Sequence, residues 1–101
     1  MFDKLVEAQQ KADEIKQRLE TISVTGEAEG GLIRVTANGN KHISEIIIDP
    51  VFLKSADKEQ LEELLIVAVN KAVQQAEQVS QTEMQAATRD MFGGLGNLFG
   101  K

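Results

Sequence analysis

The chain has 101 residues, 16 acidic and 11 basic, for a net charge of −5, with one histidine and no cysteine. That length sets one domain with a marginal core, which favours oligomerisation. The missing cysteines exclude a disulfide framework and a thiolate metal site, and the net charge repels polyanions unless the basic residues gather on one face.

From Leu5 onward apolar residues fall at Leu5, Ala8, Ala12, Ile15, Leu19 and Ile22, alternating steps of three and four. This is a helical seam of the coiled-coil kind, in a segment free of helix breakers. The seam is narrow and carries alanines at one end, so it suits another helix better than a sheet, and the helix is expected to project. The N-terminus has no apolar run of the signal-peptide kind, and the longest apolar run, Leu64 to Val69, is too short to span a membrane. A cytoplasmic protein is expected.

In "ISVTGEAEGG", Ile22, Val24, Gly26 and Ala28 alternate with polar residues, predicting a half-buried strand. The Gly30-Gly31 pair supplies a turn, and Ile33, Val35 and Ala37 alternate in a second strand. Asn38-Gly39 and Gly39-Asn40 can each form a two-residue primed turn; pairing Ile33 with Ile46 selects Gly39-Asn40. The third strand ends at "IIIDP", with Ile46 and Ile48 pointing inward and Pro50 ending the ladder. Asp57 with Gln60 reads as a capping box opening a long helix through Phe92. Its first part, Leu61 through Val73, is apolar nearly all round, as in a helix buried against its own sheet and a second subunit. Its second part thins to Ala72, Ala76, Val79 and Ala86 and is expected to pair with the N-terminal helix along part of its length. Residues 92–101 form a glycine-rich tail expected to be flexible. The fold class is α+β: helix, three-stranded antiparallel meander, long helix, in one domain over 1–101.

No catalytic set emerges. His42 is alone beside a turn, with no second histidine or cysteine to share a metal, and reads as a solvent-facing residue. No general base sits at a spacing that would activate a serine or threonine. Gly94 and Gly96 mimic the start of a nucleotide loop, but Phe99 replaces the third glycine and no strand precedes it. No enzyme activity, cofactor, metal or small-molecule substrate is expected. Charge is more informative. With Leu5, Ala12 and Leu19 at heptad position a, Lys4, Lys11 and Arg18 all fall on g, Glu7 and Glu14 on c, and Lys16 on e. Seven-residue spacing sets the three cations about 10.5 Å apart on one edge. They either pair with acids on a neighbouring helix or on their own, or follow a phosphate backbone.

Val24-Thr25-Gly26, Gly30-Gly31, Val35-Thr36 leading to Asn38-Gly39, Ile48-Asp49-Pro50, and Leu61 with Leu64, Ala68, Asn70 and Ala72 together resemble the YbaB/EbfC family of nucleoid-associated proteins. The resemblance covers most of the chain. It implies a homodimer whose sheets and buried helices form the body while the terminal helices protrude like tweezers. It implies that these helices bind double-stranded DNA with little or modest sequence preference, at the nucleoid. Lys4, Lys11 and Arg18 are then the first DNA-contact candidates, with Lys16, Lys71 and Arg89 secondary. Ile46, Ile47, Ile48, Leu64, Leu65 and Val69 are the expected dimer interface. The competing reading is an acidic helical module whose seam grips a protein partner and never touches DNA.

Overall fold

A computed structural model describes the backbone of residues 2–98 and the side chains of residues 3–89. Helix α1 (Phe2–Glu20) leads into strands β1 (Ser23–Ala28), β2 (Ile33–Asn38) and β3 (Ile43–Ile48), then helices α2 (Pro50–Ser55) and α3 (Lys58–Leu98). The strands form an antiparallel sheet in the order β1-β2-β3. This is the expected helix, meander and long helix.

The core lies between α3 and the first two strands. Ala28, Ile33, Val35 and Ala37 on the sheet meet Ala68 and Ala72 on the helix, all buried. Small residues on α3 let its backbone come down onto the sheet, and Gly26 completes the approach. A Cβ at Gly26 would lie 2.9 Å from the Lys71 carbonyl carbon and closer still to Ala68 O and Ala72 N. Val24, Gly26 and Ala28 therefore face the helix, while Glu27 and Arg34 sit across from each other on the open face and form an ion pair at 2.8 Å.

The β2–β3 register differs from expectation. Ile33 pairs with Ile48 and Val35 with Ile46, not Ile33 with Ile46. Two extra residues account for the shift. The connection is not a primed turn, because neither Gly39 nor Asn40 has positive φ; Lys41 does, at 70°. Lys41 N donates to Asn38 O at 3.0 Å, and Asn38 N to His42 O at 2.9 Å, so the loop holds three residues rather than two. An irregularity between Thr36 and Ala37 adds the second. A two-residue shift preserves facing, so Ile46 and Ile48 remain on the helix side as expected. They are not equally covered. Because α3 lies over β1 and β2, Ile48 is half-buried against the core while Ile46 stays 49% exposed.

Helix α2 is not among the expected elements: Pro50, expected only to end the third strand, also opens a helix. Asp49 caps it, its carboxylate accepting from Phe52 N at 2.9 Å, and Pro50 occupies the first turn, where its missing N–H costs nothing. Asp57 caps α3, accepting from Gln60 N at 2.7 Å. That helix continues past Phe92 through Gly93, Gly94 and Gly96 to Leu98, longer than expected. The flexibility expected of the tail's end falls outside the described residues.

Candidate nucleic-acid interface

Helix α1 packs on the sheet end only through its C-terminal half. Leu19 is buried and Ile15 and Ile22 are half-buried, whereas Leu5, Ala8 and Ala12 of the same seam are exposed. Arg18 Nε bonds Glu83 Oε1 of α3 at 2.9 Å, and a groove between the helices is lined by Lys11, Glu14, Ile15, Arg18, Ala86 and Ala87. Residue numbers rise on α1 as they fall on α3, so the two helices run antiparallel in a two-helix arm. Among the described residues, the last buried side chain of α3 is Ala76. Beyond the sheet the helices pair along part of their length, through Ile15 and Arg18 against Glu83 to Ala87, while Ala8 and Ala12 of the α1 seam stay exposed, and the molecule measures 64 × 27 × 18 Å.

The basic row runs along this arm. Lys4 is exposed. Lys11, also exposed, lies 3.9 Å from Glu14 three residues on. Arg18, 70% exposed, is held by Glu83. Two of the three row cations thus have acidic neighbours, one on the same helix and one on α3, as the first of the two readings of the row requires. The Lys11–Glu14 pair stands in solvent, where such a contact contributes ~0–1 kcal/mol, whereas Arg18 reaches out over a Glu83 side chain that is only 22% exposed. Among the secondary candidates, Lys16 and Arg89 are exposed on the arm, Arg89 about 9 Å along α3 from Glu83 at ~1.5 Å per residue. Lys71 is exposed but its backbone abuts Gly26 in the body, roughly 18 Å from Glu83 on the same measure. Lys4, Lys11, Lys16 and Arg18 thus lie on α1, Lys16 on the opposite edge of its seam from the other three, and Arg89 on the part of α3 beyond the sheet, whereas Lys71 lies over the sheet.

The expected interface residues divide as well. Ile48, Leu64, Leu65 and Val69 are half-buried against the chain's own core, whereas Ile46 and Ile47 are about half exposed, at 49% and 48%. Other exposed apolar residues of the body are Val51 and Leu53 on α2 and Ile43 at the start of β3, which the sequence reading passes over, and Ile66 and Val67 on α3, inside the Leu61–Val73 stretch expected to meet a second subunit but not named for the interface. For Ile66 and Val67 a signal existed. They lie off the line of Leu61, Leu65, Ala68 and Ala72 that a helix resting on a sheet must bury. Glu83, the partner of Arg18, carried none, since its pairing depends on how the two helices dock.

Among the described residues no group of histidines or acids is placed to hold a metal ion, and no helix is long and apolar enough to cross a membrane. His42 is exposed, its Nδ1 3.9 Å from Glu20.

The YbaB/EbfC DNA-binding family matches residues 1–91. The chain belongs to that family. A nucleoid-associated protein of Flavobacterium johnsoniae is 39% identical over 102 residues, covering 98% of this chain and 94% of its own. One from Thermus thermophilus is 40% identical, covering 99% and 96%. An uncharacterized protein of Helicobacter pylori with a crystal structure shares the fold, at a TM-score of 0.65 and 22% identity over 77% of this chain and 90% of its own. The chain is thus a member of a DNA-binding family, and the relatives named for it are nucleoid-associated proteins.

Proposed function

We propose that this protein acts as a homodimer that binds double-stranded DNA at the nucleoid, contacting phosphates through the basic row of α1 with help from Lys16 and Arg89. The observation that carries the reading is the paired α1–α3 arm, which extends Lys4, Lys11 and Arg18 beyond the sheet in a member of a DNA-binding family. Apolar side chains left open on β3, α2 and α3 support the dimer. Lysine and arginine on phosphates position a protein without reading bases, so affinity is modest and nearly independent of sequence.

A DNA titration at several salt concentrations tests this. A dimer presents the row twice, and six neutralised phosphates give a slope of log K against log salt of roughly −5, at about 0.9 per phosphate. Changing Lys4, Lys11 and Arg18 to Glu should abolish binding while helicity and dimer mass persist. Undiminished binding by that variant excludes the row as the contact. Loss of helix content or of the dimer shows that the row's cations are structural instead, as the interaction-module reading holds.

A further inference from the structure

The direction of a helix is set by what holds its last turn. In α1 that turn is held by the β2–β3 connection. Asn40 Nδ2 donates to Lys16 O at 3.0 Å, and Gly39 N to Leu19 O at 2.8 Å, with Ile22 O a second acceptor at 3.1 Å. Asn38 Nδ2 reaches Glu20 Oε2 at 2.8 Å. The connection itself is stiffened by Asn38 Oδ1, which accepts from Asn40 N at 2.8 Å and His42 N at 3.1 Å. Gly39 is needed here for closeness, not for φ: a Cβ would sit 2.8 Å from Leu19 Cδ2 and 2.9 Å from Leu19 O. On its other side the same connection is tied to α3, because the Lys41 ammonium meets the Glu77 carboxylate.

We propose that the β2–β3 connection is a latch that sets the angle of α1 to the body, with Asn38, Gly39 and Asn40 as positioning residues for the basic row. The functional half rests on the DNA-binding reading above; the geometric half rests on these bonds alone. Leverage makes the bonds consequential. Lys4 lies roughly 22 Å from Leu19 along α1, so a tilt of about 10° at the latch moves it about 4 Å, more than a hydrogen bond to a phosphate tolerates.

The chain has no cysteine, so nitroxide labels can be placed at Gln10→Cys on α1 and Gln74→Cys on α3 without background. Labelled chain diluted into unlabelled chain reports the intrachain distance. Asn40→Ala, which removes no charge and one exposed bond, should broaden or shift that distance distribution at unchanged helicity. It should weaken DNA binding about threefold to tenfold, the range expected for one hydrogen bond, and make the salt slope shallower. A role in stability alone would leave the slope as it was. Asn40→Gln, which keeps an amide donor, should recover part of both effects. Gly39→Ala should act more strongly; if it does not fold, the Asn40 pair decides. A distribution unchanged by Asn40→Ala overturns the latch whatever DNA does. A broadened distribution with parental affinity and slope overturns the positioning role. If the parent binds no DNA, the functional half falls with the reading beneath it, and the distance measurement still supports or overturns the latch.

Discussion

Glu77 sits where the hairpin tip meets α3, and its carboxyl is held below the ordinary carboxylate range. The hydrogen bond from Lys41 is the main cause, followed by the charge of that ammonium; slight desolvation opposes them, and the Gln81 amide, 3.3 Å away, adds a smaller bond. A group with a lowered folded pKa contributes stability that is fully present above its unfolded value and lost as pH falls through the folded one. Urea midpoints of parent and Glu77→Gln should therefore differ by a constant amount from about pH 8 to about pH 5. The gap should close below about pH 4.3, the ordinary glutamate value. A gap that widens in acid would show that Lys41 and Glu77 do not pair in the native protein.

Packing of one element on another is decided by small residues here. Gly26 on β1 faces Ala68 and Ala72 on α3, and the atoms nearest its missing Cβ are backbone, which cannot rotate aside. Gly26→Ala should lose about 1–3 kcal/mol in urea unfolding, the usual range for overpacking, and belong at its upper end. A loss below about 0.5 kcal/mol would mean that α3 rides higher on the sheet. The same contact explains what was legible in the sequence. Strand parity and helical spacing announced α1, the three strands and α3, the face each strand buries and the partial pairing of α1 with α3. Register was not legible, because Gly39 resembles a primed-turn glycine while serving as a close-approach residue against Leu19, with Lys41 taking the positive φ instead. Asp49-Pro50 did carry a readable helix start, an N-cap followed by proline at N1, masked by its second meaning as the end of a strand. The unequal cover of Ile46 and Ile48 lay beyond reach for a different reason: α3 covers only two of three strands, and that offset is a property of docking, not of any segment.

For the whole molecule, that offset leaves apolar surface on three successive elements: Ile46 at 49% exposed on β3, Val51 at 74% on α2 and Ile66 at 60% on α3. Full burial of such a side chain is worth about 1.5–3 kcal/mol, so a second copy covering them has ample driving force. Ile46→Glu with Ile66→Glu should place unpaired charge in that contact and give a species of 11.1 kDa by light scattering, where the parent should show twice that mass. Met84→Glu is the matched control. Met84 is 55% exposed but lies on α3 beyond the sheet, so this change should leave the mass of the parent. DNA binding then connects mass to charge. A monomer carries three row cations in place of six, and its salt slope should fall from roughly −5 to about −3. An Ile46, Ile66 variant that is monomeric yet keeps the steeper slope would mean that the phosphates are met by residues outside the row. One that remains dimeric would place the interface elsewhere on the chain, with the α1–α3 arm and its exposed Leu5 and Val6 as the next surface to change.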